Sequence, residues 1–198
     1  MIDSRFVIVA ALLNMIGAAV YATKTFKGET QPNRVTWLLW AVVPMIAFFA
    51  ELQERVGIQS LMTFMIGFGP LVVFIASFLN RKAFWQISKL DIVCAVLSVV
   101  ALVAWKLSGD ADIAIAFALL ADALAGLPTL IKSWTNPDSE HYAPYLTSAV
   151  SAAITLATIS VWSFATYAFP AYILITGLLV SSVIKFRPGR GFTRRFYP

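Results

Sequence analysis

Asp122 is the residue of this chain with the clearest potential for chemistry. It stands in the middle of an otherwise apolar run, Ile113-Ala114-Ile115-Ala116-Phe117-Ala118-Leu119-Leu120-Ala121-Asp122-Ala123-Leu124-Ala125. A carboxylate at the middle of a membrane helix costs on the order of 2.5–3.5 kcal/mol even on insertion scales, so such a group faces a cavity or a partner. Two roles follow for Asp122. It binds a proton or the amine of a substrate and so gates movement, or it makes a structural hydrogen bond, for which Asn14, in another apolar run, is the candidate partner. Asn14 itself either lines the site or cements helix packing, which is worth roughly 0.6 kcal/mol.

The other candidates are aromatic and hydroxylic. Thr36-Trp37-Leu38-Leu39-Trp40 opens an apolar run directly after Asn33-Arg34. Both tryptophans either stack on a planar or sugar-like solute or belong to the aromatic belt of the membrane interface, and Trp40, a turn deeper, is favoured for the cavity and Trp37 for the belt. Tyr145 and Ser148 occupy similar places later in the chain. The expected solute contacts are therefore Asn14, Trp37, Trp40, Asp122, Tyr145 and Ser148, with Asp122 also the proton site. Pro70 beside Gly69, and Pro128, are the expected hinges, because an interior proline removes a backbone hydrogen bond and can kink its helix. Pro44, Pro144 and Pro170 also lie in or near apolar runs, Pro144 as a first-turn proline.

Nothing points to an enzyme, a cofactor or a metal. The sole histidine, His141, is in a polar stretch, the sole cysteine, Cys94, is in an apolar one, and there is no HExxH, CxxC or glycine-rich phosphate loop. Lys185 stands at the end of the last apolar run, where it cannot serve as a retinal lysine. Asp138, Glu140 and His141 cluster near Lys132 and form either a cytoplasmic gate or, through Asp138-Ser139, a cap for the next helix.

Positioning these residues is the task of seven apolar stretches, at roughly 5–23, 34–50, 58–79, 90–106, 112–131, 143–163 and 168–186, each near the ~17–25 residues that cross a bilayer. Of the 198 residues, 60% are hydrophobic and 13% charged, with a mean hydropathy of +0.80, which excludes an ordinary soluble domain. The first stretch lacks a small-residue cleavage pattern and reads as a retained helix. Lys24, Lys27, Arg34, Arg81, Lys82, Lys89, Lys132, Lys185, Arg187, Arg190, Arg194 and Arg195 share the side of the C-terminus, against Arg5, Arg55 and Lys106 opposite. The positive-inside rule then puts the N-terminus outside and the C-terminus in the cytoplasm of a plasma (inner) membrane. The basic tail at 188–198 is expected to rest on anionic headgroups, at about 1 kcal/mol per basic residue, in preference to nucleic acid.

A shift of 108 positions lays the first three stretches on the last three without a gap. It pairs Ala10 with Ala118, Lys24 with Lys132, Ala41-Val42 with Ala149-Val150, Ile46 with Ile154, Gly69 with Gly177 and Leu71-Val72 with Leu179-Val180. Asn14 falls on Asp122 and Trp37 on Tyr145, pairings that shared hydrophobicity does not predict. The fourth stretch supplies the extra crossing that makes the two copies parallel, a plan in which the site lies between them near mid-depth.

This 3+1+3 layout resembles the PQ-loop and SWEET (MtN3-like) transporter superfamily, as a divergent bacterial member. The second triplet keeps Pro128 and Lys132-Ser133 of that superfamily's motif, with Thr129 in place of its glutamine; in the first, Val20 stands for the proline, while Lys24 and Gly28 persist. Neither third helix of a triplet carries the asparagine typical of the sugar carriers. The resemblance implies an all-α membrane protein of seven transmembrane helices, in two parallel three-helix-bundle repeats. The first bundle is 1–79, a linker with helix four is 80–110, the second bundle is 111–187 and the tail is 188–198. It also implies alternating-access transport of a small polar solute, by uniport or proton coupling, and allows a homo-oligomer. A receptor without transport and a packing subunit of a larger complex are the competing classes.

Overall fold

The computed structural model describes residues 2–80, 85–108 and 111–189. Among these the chain is all helical, with seven α-helices: α1 (Phe6–Lys27), α2 (Arg34–Gln53), α3 (Ser60–Leu79), α4 (Lys89–Ser108), α5 (Ala111–Thr135), α6 (Ala143–Thr158) and α7 (Phe164–Phe186). Single 3-10 turns at Gly57–Gln59 and Pro137–Ser139 precede α3 and α6. Four stretches, Phe6–Lys27, Gly57–Leu79, Ile115–Thr135 and Phe164–Phe186, are helical, long and apolar enough to cross a membrane. The outward face of α4 carries Val96, Val100 and Val103, each more than half exposed. Apolar surface of that extent wants a non-aqueous neighbour.

Local chemistry sets the helix ends. Gly28 ends α1 in the left-handed region, at φ 77°, and the backbone N–H groups of Gly28 and Glu29 reach the carbonyls of Thr25 and Lys24 at 3.0 and 2.9 Å. Asn33 starts α2 by accepting the Val35 and Thr36 N–H groups at 3.1 and 3.3 Å on its Oδ1, while its Nδ2 donates to buried Asp91 of α4. Ser163 and Thr166 form a capping box at the head of α7. That box corrects two boundaries: α6 stops at Thr158, short of the expected 163, and α7 starts at Phe164 instead of 168. The cap releases the chain from helix at 159–163, where hydropathy alone carries straight through.

Asp138-Ser139 does not cap α6, whose N-cap is Tyr142 with no side-chain bond. Asp138 instead pairs with Arg187 at the end of α7, at 2.9 Å. Pro144 sits in the first turn of α6, and Pro44, Pro70, Pro128 and Pro170 lie inside α2, α3, α5 and α7.

The packing order differs from the chain order. α3 lies against both α1 and α2, α7 lies against both α5 and α6, and the two sets meet where α1 packs on α6 and α2 on α5. α4 packs on α5 and touches α2. Its Ser98 hydroxyl donates to the Ala121 carbonyl at 2.8 Å, one residue before Asp122. Arg81, Lys82, Arg190, Arg194 and Arg195, with most of the basic tail, lie outside the described residues.

Candidate functional site

Where α1, α2, α3, α5, α6 and α7 converge there is a cavity of about 310 Å³. Asn14, Trp37, Trp40, Asp122, Tyr145 and Ser148 all line it, as do Gly69 and Pro70. Pro128 is buried in α5 but does not reach it. The rest of the lining includes Ile66, Leu130, Tyr172, Ile173, Thr176 and Val180.

The polar groups are paired differently from the expectation. Asn14 donates to the Ser148 hydroxyl at 2.8 Å, across the α1–α6 contact, and not to Asp122. Asp122 is 3% exposed, and its Oδ2 accepts the Tyr172 hydroxyl at 2.8 Å. Its Oδ1 is buried and has no hydrogen-bond partner among the described residues. Asn14 and Asp122, counterparts under the shift, therefore have separate partners because each faces its own neighbour across the bundle.

Trp37 requires a correction: it is 3% exposed, not at an interface. Its ring lies 4.7 Å from Tyr21, 5.5 Å from Trp40 and 6.4 Å from Tyr145, centroid to centroid. The reason is rotational: α2 turns that face toward α5 and α6, so a residue one turn from the helix start is still inside the bundle. The Trp40 indole donates to the Asp122 carbonyl at 3.3 Å and rests on Gly126, where an added Cβ would lie 2.8 Å from ring atom Cζ2. Gly126 thus lets a tryptophan lie against α5 within a turn of the carboxylate.

The loop end of the cavity is tied shut by a network around Lys132 and Glu140, two residues of the expected gate or cap. Lys132 and Glu140 form an ion pair at 2.6 Å, with side chains 1% and 0% exposed. Glu140 Oε2 also accepts the hydroxyls of Tyr21 at 2.7 Å and Tyr145 at 3.1 Å. Lys132 further donates to the Gln31 carbonyl and lies 4.7 Å above the Trp85 ring. The Gln31 N–H donates to the Ser139 carbonyl at 3.0 Å, joining the α1–α2 and α5–α6 loops. Tyr21, Gln31 and Tyr172 had no signal in the sequence, since only burial distinguishes them from other tyrosines and loop residues. At the opposite end Val7, Met62, Ile66, Phe169 and Ile173 close the bundle as an apolar cluster.

His141 sits at the edge of the loop-end network. Its Nδ1 accepts the Ala143 N–H at 3.3 Å. Burial, and then the charge of Lys24, hold its pKa below the ordinary value, against the smaller opposite pulls of Glu29 and Glu140. Because folding favours the neutral ring, its contribution is present above the unfolded value near 6.5 and is lost as pH falls through the lower folded one. The melting temperature is therefore expected to fall on acidification toward about pH 5.5 less steeply in His141→Asn than in the parent. Equal pH slopes would refute this.

Compared with family models, curated proteins and solved structures, the chain matches none.

Proposed function

We propose that the chain is a membrane transporter of the PQ-loop and SWEET type. Seven transmembrane helices form two parallel three-helix bundles, joined by α4, that move a small polar solute through the central cavity by alternating access. The observation that carries this reading is that residues equivalent under the 108-position shift meet one another. Gln31 bonds Ser139 at 3.0 Å, and Trp37 lies 6.4 Å from Tyr145. Equivalent positions of two copies come together only near the axis that relates them, and the cavity lies beside these contacts. The order α1-α3-α2 recurring as α5-α7-α6 supports the same symmetry.

In this reading α2, α4 and α6 span the plasma (inner) membrane with the four longer helices, the N-terminus is outside, and the basic tail meets anionic headgroups. Asp122 is the proton or solute-charge site, and Pro70 beside Gly69, with Pro128, lets the bundles rock. The loop-end network, in which Tyr21 and Gln31 of the first bundle meet Glu140, Lys132 and Ser139 of the second, and the opposite apolar cluster are the two gates. Proteoliposomes loaded with sugars, amino acids, nucleosides and vitamins should release a subset selectively, as read by mass spectrometry. No release of any solute from folded protein would sink transport in favour of a receptor or a packing subunit, and Asp122→Asn releasing like the parent at every pH would remove the proton role.

A further inference from the structure

The cavity has one charged group and no counter-charge from the protein. Among the described residues no lysine or arginine pairs with Asp122. Lys132, ten positions on along α5 and so roughly 15 Å away, is bound to Glu140 and Gln31. The Oδ1 of Asp122 is buried with no hydrogen-bond partner among the described residues, and the same cavity is lined by Trp40, whose indole N–H donates to the Asp122 carbonyl, and by the Trp37 and Tyr145 rings, 5.5 and 6.1 Å from that of Trp40. Of the nearby neutral polar groups, Asn14 is bonded to Ser148 and the Tyr172 hydroxyl to Asp122, while the buried Trp37 indole N–H has no partner among the described residues.

These features select among solutes. A carboxylate in a cavity lined by aromatic rings repels anions and attracts a cation by charge, and a cation seated over a ring face gains from its quadrupole as well. A hard metal ion takes roughly six to eight oxygens, and no group of three acidic, histidine or cysteine ligands exists among the described residues. A neutral polyol would leave the Asp122 charge unpaired. At about 310 Å³ the cavity is at the small end of ligand sites.

Resting on the reading of this cavity as a solute site, we infer that its ligand is a small organic monocation, an ammonium or guanidinium compound held by Asp122 against the aromatic wall of Trp40. The test uses the full chain in nanodiscs and compares cations with uncharged analogues of the same shape: choline with dimethylbutanol, and methylguanidinium with methylurea. At least one cation should raise the melting temperature and quench tryptophan fluorescence where its analogue does not. Asp122→Asn should weaken that cation by about 100-fold, and Trp40→Leu by about 10-fold with Asp122 intact. Equal binding of cation and analogue, no protection by either cation, or full cation affinity in Asp122→Asn or Trp40→Leu overturns the inference. The outcome separates from that of transport itself: release of neutral solutes without cation preference overturns only the cation, and cation binding without flux overturns only the transport.

Discussion

Lys132→Met should lower the stability of the folded protein by about 3–5 kcal/mol, because it leaves a buried carboxylate without its counter-ion. The two side chains are almost wholly buried and 2.6 Å apart, and Glu140 holds two tyrosine hydroxyls besides, so water cannot take the place of the lysine. The double variant Lys132→Met with Glu140→Gln should recover most of the loss, since a glutamine carbonyl can still accept from Tyr21 and Tyr145 and no charge remains buried. Melting temperatures of the two single variants and the double variant form a cycle in which strong non-additivity is the expected result. A Lys132→Met protein that melts with the parent would show that the pair contributes nothing. The pair joins α5 to the loop before α6 and, through Tyr21 and Gln31, to α1 and its loop. Opening this end between the two bundles breaks the Tyr21–Glu140 and Gln31–Lys132 bonds, while the ion pair stays within α5 and the loop before α6; under the proposed transport the neutral double variant should release solute with a changed preference for direction.

Gly177→Ala should cost about 1–3 kcal/mol, and under the proposed transport reduce flux, because the added methyl has no room. Its Cβ would lie 2.6 Å from the Tyr145 carbonyl and 3.2 Å from the Ala149 nitrogen, both backbone atoms, so α6 and α7 must part. Part of that cost is offset by the better helix propensity of alanine, roughly 1 kcal/mol. Tyr145 lines the cavity and holds Glu140, so a shift of α6 there disturbs both at once. Gly69, the counterpart in α3, is the internal comparison: a Cβ there lies 3.1 Å from Ala18 Cβ and 3.4 Å from Asn14 Oδ1, so α1 need yield only slightly, whereas at Gly177 the 2.6 Å approach to a backbone oxygen forces a larger shift. Gly69→Ala should therefore be milder in thermal unfolding, and a larger loss at position 69 than at 177 would refute the comparison.

Hydropathy and cap chemistry determined the elements. Seven apolar runs became seven helices among the described residues, because a run of that length has few ways other than a helix to satisfy its own backbone. The candidate site was legible for a related reason: a carboxylate, an amide and hydroxyls inside apolar runs are costly, and each has to face something polar. Four such candidates, Asp122, Asn14, Tyr145 and Ser148, line one cavity together with Trp37 and Trp40. What the amino-acid order does not carry is the rotation of each helix about its axis and the pairing of helices distant in the chain. Those two quantities decided that Trp37 faces inward, that Asn14 bonds Ser148 while Asp122 bonds Tyr172, and that Tyr21 of α1 reaches Glu140. Each is a contact across the bundle, set by which faces fill the space between helices, and no local spacing encodes it.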